Sequence, residues 1–124
     1  MKLLGLHHVQ ITIPVGKEEK AREFYCGLLG LEEIPKPENV LSAGGFWVSL
    51  NDVQLHIGCY ERAISPDSKE HVAFLVDSLK KWMTRFENAG VYPVKGKPIP
   101  GIERFDIRDP FGNRLEFLEQ KKQI

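Results

Sequence analysis

The sequence predicts an α+β fold of two βαβββ modules whose strands form a curved mixed sheet, an open barrel. Three observations carry that prediction. Strand-type alternation opens each half of the chain, an amphipathic helical stripe follows each opening strand, and a polar stretch at residues 61–70 separates the two series. A module of this size closes no core alone, and repetition is the natural solution. The expected organisation is one domain over residues 1–124, with an internal repeat of 1–60 and 71–124.

In the first half, residues 6–13 (LHHVQITI) put Val9, Ile11 and Ile13 on one face and His8, Gln10 and Thr12 on the other. Pro14-Val15-Gly16 ends the alternation. Residues 17–29 carry Ala21, Phe24, Tyr25 and Leu28 at helical spacing, with Gly30 as the stop. A short strand is expected at 32–34, a Pro/Gly-bounded loop at 35–45, and strands at 46–50 and 53–57 joined as a hairpin at Asn51-Asp52. The second half begins again at 71–76 (HVAFLV). Leu79, Trp82, Met83, Phe86 and Ala89 form a core-facing helical stripe ending at Gly90, with Asp77 or Ser78 as N-cap. Strands are expected at 91–94, 104–108 and 113–118, with a Gly/Pro-rich loop at 95–101 and a frayed tail at Lys121, Lys122 and Gln123.

Composition narrows the classes. Seventeen basic residues balance seventeen acidic ones. Neither a nucleic-acid nor a membrane-surface partner is expected, because both favour a basic excess. Leu3-Leu4-Gly5-Leu6 is too short an apolar run for a signal peptide, and no stretch approaches a membrane span. Cys26 and Cys59, without metal-type spacing, suit a reduced compartment, so a cytoplasmic protein is expected.

The repeat aligns His8-Val9 with His71-Val72, and Leu55-His56-Ile57 with Leu115-Glu116-Phe117. Alternation sends His8, His56, His71 and Glu116 to the face away from the helices, where a curled sheet would bring them together. Three imidazoles and a carboxylate suit a divalent transition metal such as zinc, nickel, manganese or iron. His7 falls on the side of Val9 and is read as a polar residue at the strand's edge. Asp109-Pro110-Phe111-Gly112 is a type I turn signature that leads into the Glu116 strand. Phe46, Trp47, Phe105 and Phe111 are candidate cleft walls; Arg104, Arg108, Lys95 and Lys97 are candidate anion contacts, more commonly solvated.

The stretches HHVQITIP, FYCGLLGLEE, QLHIG, HVAFLVDS and DPFGNRLEF together resemble the vicinal oxygen chelate superfamily, also called the glyoxalase/bleomycin-resistance/dioxygenase superfamily. The resemblance covers essentially the whole chain. It implies paired βαβββ modules around a metal, commonly in a homodimer, with His8, His71 and Glu116 as core ligands and His56 at the fourth position. It further implies a small oxygen-chelating substrate and proton transfer of the lyase, isomerase or epimerase type, with Glu116 as the base. His56 departs from the carboxylate that bacterial-type glyoxalase I has at that position. A ring-cleaving dioxygenase and a metal-free binding or resistance protein are the alternatives.

Overall fold

The computed structural model describes residues 1–61 and 64–121. The chain divides into two units, Met1–Ala63 and Ile64–Ile124. Arg62 and Ala63 of the expected linker, and Lys122 and Gln123 of the expected tail, lie outside the described residues.

In the first unit the alternating apolar residues form β1 (His8–Ile13), and the charged stretch after Gly16 forms helix α1 (Glu18–Arg22). Three strands follow: β2 (Glu32–Ile34), β3 (Phe46–Leu50) and β4 (Val53–Cys59). The sheet order is β1-β4-β3-β2, with β1 parallel to β4 and the other pairs antiparallel. The expected hairpin is present: Leu50 faces Val53 across Asn51-Asp52, and Asn51 takes φ 51°, the left-handed region that asparagine tolerates in tight turns. Ile11, Ile13, Val48, Leu55 and Ile57 are buried on one side of this sheet with Phe24 and Tyr25.

The helix expected over 17–29 is α-helical only to Arg22 and then winds as a π-helix over Glu23–Leu28. Leu29 N–H donates to the Phe24 carbonyl, five residues back, at 2.9 Å. The wider turn lets two consecutive aromatics, Phe24 and Tyr25, both enter the core, with their rings edge to face at 4.9 Å. It also moves the next inward position from Leu28, which is half-buried, to Leu29, which is buried. The loop after β2 holds an unforeseen 3-10 turn at Glu38–Ala43.

The second unit contains β5 (His71–Leu75), helix α2 (Leu79–Asn88), β6 (Val94–Lys95), β7 (Ile102–Arg108) and β8 (Arg114–Gln120). Its order is β5-β8-β7-β6, again with the first and last strands parallel. Ser78 is the N-cap of α2, its hydroxyl accepting from Lys81 N–H at 3.3 Å, and the Glu119 carboxylate of β8 accepts from Leu79 N–H at 2.8 Å. That bond, with Lys121 beside it, holds the Glu119 carboxyl below the usual range. At the other end Gly90 N–H reaches the Glu87 carbonyl and Val91 N–H the Phe86 carbonyl, a Schellman closure with Gly90 at φ 77°. Because the closure takes Val91 and Pro93 has no N–H, β6 starts at Val94 and not at Val91 as expected. Phe86, Phe105, Leu115 and Phe117 are each no more than 2% exposed and form the core of this unit.

The Asp109 turn closes as expected, with Gly112 N–H donating to the Asp109 carbonyl at 3.1 Å. Its buried carboxylate also accepts from the backbone N–H groups of Phe111 and Asn113 at 2.9 and 2.8 Å and from the Asn113 amide at 2.8 Å. Among the described residues no helix is long and apolar enough to cross a membrane.

Two substitutions separate these local devices. Ser78→Ala removes one exposed cap and is expected to cost about 1 kcal/mol. Asp109→Ala strands several donors and is expected to cost about 2–3 kcal/mol. Urea denaturation with an unchanged slope is the measurement.

Candidate functional site

The candidate residues fall into two pairs, one in each unit, at matching sheet positions. In the first unit His8 lies opposite Gln54, two residues before His56; in the second His71 lies opposite Arg114, two residues before Glu116. Each pair therefore comes from the parallel first and last strands and points away from the packed side, since period-two alternation sends Leu55/Ile57 and Leu115/Phe117 to the core.

In the second unit Glu116 is 6% exposed. His71 Nε2 stands 3.5 Å from Glu116 Oε1, and Arg104 Nη1 donates to the same oxygen at 3.1 Å. His71 Nδ1 lies 2.7 Å from the Lys69 carbonyl oxygen. A carbonyl only accepts, so Nδ1 carries the proton, and in the neutral ring Nε2 presents its lone pair toward Glu116. An imidazole anchored through one nitrogen beside a carboxylate is the arrangement that metal-ligating histidines favour. Asp106, directly opposite Glu116 on β7, is paired with Arg114 at 2.9 Å.

In the first unit His56 lies between two rings. Its centroid is 4.0 Å from that of Trp47, with planes within 3°, and 4.0 Å from that of His8, with planes within 13°. Gln54 Oε1 lies 2.9 Å from His56 Nε2 and accepts its proton. An imidazole binds a metal in the plane of its ring, at about 2.0–2.1 Å. Two nearly parallel rings stacked 4.0 Å apart do not converge on one ion, so His56 must turn out of the stack before it shares an ion with His8. Among the described residues no three His, Cys, Asp or Glu side chains are gathered in a metal-binding cluster. A cleft of about 240 Å³ opens beside His56, walled by Trp47 and Gln10.

His7 is, as expected, a polar residue at the strand's edge, and one candidate cleft wall is buried instead. His7 precedes β1, so strand alternation does not govern it; its ring is exposed, with Nδ1 2.9 Å from His8 Nδ1. Phe46 is core, at 1% exposure. Arg104, a candidate anion contact in the sequence, instead pairs with Glu116, and Gln54, which the sequence does not single out, holds the His56 ring. Both share a face with a candidate residue through alternation, Arg104 across the β7–β8 register and Gln54 two positions before His56. By contrast Arg108 is spent on the Ser68 and Gly112 carbonyls and anchors a loop.

Burial first, and then the neighbouring charges of His8, His7 and Lys36, push the His56 imidazole below its ordinary value of 6.5. The fold thus favours the neutral ring. This has no cost above the unfolded value, and stability is lost as pH falls from there to the lowered folded value. An NMR titration of the His56 ring should give a midpoint below 6.5. Trp47→Ala, which opens the ring to water, should move it back up.

The sequence model of the Glyoxalase/Bleomycin resistance protein/Dioxygenase superfamily matches residues 5–117. Among solved structures, a glyoxalase family protein from Bacillus anthracis shares 38% identity over 98% of each chain, with a TM-score of 0.90. A lactoylglutathione lyase from Agrobacterium tumefaciens is similar at 20% identity over 96% of each chain, TM-score 0.74. An antibiotic binding protein from Streptomyces sp. CB03234 is similar at 21% identity over 97% of this chain and 100% of that one, TM-score 0.74. The last two show likeness of fold alone. No curated protein matches the chain. With most of its length matched, and with two four-stranded βαβββ modules, the chain belongs to the Glyoxalase/Bleomycin resistance protein/Dioxygenase superfamily.

Proposed function

We propose that the protein is a metal-dependent enzyme that moves a proton on a small substrate chelated through neighbouring oxygens, as a lyase, isomerase or epimerase does. In this reading His8, His71 and Glu116 would hold a divalent ion (zinc, nickel, manganese or iron), and His56 would be a fourth ligand once its ring left the stack. The observation that carries this reading is the buried Glu116 carboxylate facing an imidazole whose other nitrogen is anchored on the Lys69 carbonyl. The donor set of imidazole nitrogen and carboxylate oxygen suits such an ion. When bound, the ion supplies Lewis-acid stabilisation of the charge that develops on a substrate oxygen.

The protein's own groups do the rest. Glu116 takes the proton from the carbon next to the carbonyl and returns it, as a general base and then acid. Arg104 compensates the charge of a carboxylate that lies almost out of water. The ring wall of Trp47 and His56 excludes water from one side of the first unit's cleft. The lactoylglutathione lyase fold is consistent with this chemistry. Free Cys26 and Cys59 support a cytoplasmic setting, and a homodimer is the assembly this reading adopts.

A metal-free binding protein is the second reading. The three-ring stack of Trp47, His56 and His8 favours it, because a flat aromatic wall beside a cleft suits a planar ligand. Likeness of fold to an antibiotic binding protein is consistent with it.

Metal content separates the two. Wild-type protein loaded with nickel, zinc, manganese or iron should retain near-stoichiometric metal after dialysis. Glu116→Ala and His71→Ala should each bind it about 10–100-fold more weakly or worse. Wild type that cannot be loaded, or Glu116→Ala that loads normally, rules out the metal reading. With loaded protein, Glu116→Gln should slow solvent deuterium exchange into 2-oxoaldehyde adducts or epimerisable acyl thioesters by about 10²–10⁴-fold.

A further inference from the structure

A second cleft, of about 360 Å³, lies within the second unit between α2 and the β6–β7 segment. Leu79, Met83, Ile102 and Phe105 give it an apolar floor; Leu79 and Phe105 are buried and the other two half-buried. Its rim carries Lys80, Lys95, Lys97 and Arg104 against a single acid, Glu103. That acid is neutralised by Lys121 at 3.2 Å. Lys80, Lys95 and Lys97 are exposed and make no ion pair among the described residues. Arg104 is fixed in place: its Nε donates to the Lys97 carbonyl at 3.2 Å, and its side chain lies over Gly96. A Cβ at Gly96 would stand 3.0 Å from that Nε, so the absence of a side chain there is what lets the guanidinium lie against the loop.

We propose that this cleft binds a medium-chain organic anion, its hydrocarbon body on the Leu79/Met83/Phe105 floor and its charged head among Lys80, Lys95 and Lys97. The charge complementarity is one-sided: Arg104 is paired with Glu116, but Lys80, Lys95 and Lys97, with no acid partner among the described residues, stand over an apolar floor. A neutral hydrophobe would leave the rim unused, and a bare inorganic anion would leave the floor wet. At about 30 Å³ per water-sized group the volume holds about a dozen such groups, which fits a chain of about eight carbons with its head. Nothing in this assignment depends on a metal or on proton transfer at Glu116.

The test uses the intact protein with sodium octanoate, octyl phosphate, 1-octanol and sodium acetate, followed by calorimetry and amide NMR. Octanoate or octyl phosphate should bind at least tenfold more tightly than octanol and than acetate; whichever of the two is tighter identifies the head as carboxylate or phosphate. The shifted amides should be those of residues 79–83 and 95–105. Lys95→Glu combined with Lys97→Glu, both exposed and so compatible with folding, should weaken octanoate at least tenfold. Octanol binding as tightly as octanoate would reduce the cleft to a plain apolar crevice and overturn the proposal. Acetate matching octanoate, an undiminished double variant, or shifts confined to the first unit would overturn it equally.

Discussion

Within each unit the candidate chemistry depends on one pairing, the parallel ladder between the first and last strands. Because side chains alternate at a period of two, the register decides which face each residue occupies. A slip of one residue between β5 and β8 would remove Glu116 from the neighbourhood of His71 or turn Phe117 out of the core. Burial pins that register. Leu115 and Phe117 flank Glu116 and are almost wholly inaccessible, as Leu55 and Ile57 are around His56. Core packing on one side of the sheet thus positions polar groups on the other, with no hydrogen bond between the two sides required.

The electrostatic constraint follows from the same geometry. Two carboxylates, Glu116 and Asp106, sit opposite each other on neighbouring strands of one face. Left alone they would repel each other and lose hydration. Arg104 and Arg114 each take one of them, so opposite charges alternate across the face. Truncating either arginine would strand a poorly hydrated carboxylate, and for that reason Arg104 belongs with the site although it resembles no metal ligand.

The regular parts of the fold were legible because period-two and helical stripes report burial directly. β2, β3 and the Asn51-Asp52 hairpin lie where the pattern places them. Where the sequence misled, a local competitor prevailed. The π-helical turn exchanged Leu28 for Leu29 because two adjacent aromatics both entered the core, which an ideal helical wheel does not anticipate. The Schellman closure took Val91 from a strand. At the candidate site, alternation assigned the faces of His56 and Glu116. It carried no information on what lies beside each ring on that face. The Trp47–His56–His8 stack and the Arg104–Glu116 pair belong to cross-strand neighbours, which only a register reveals.

The stack also has an optical consequence. The chain contains two tryptophans, and they stand in different surroundings. Trp82 packs against Phe86 and Phe117, with no histidine among its ring neighbours in the described residues. Trp47 lies parallel to an imidazole at 4.0 Å, close enough for the charge state and position of that ring to govern the brightness of the indole. Any event that protonates His56 or draws it out from between its neighbours therefore registers in the emission of Trp47 and leaves Trp82 as a constant background. The molecule carries its own reporter on the residue whose part in the site is most open to rearrangement.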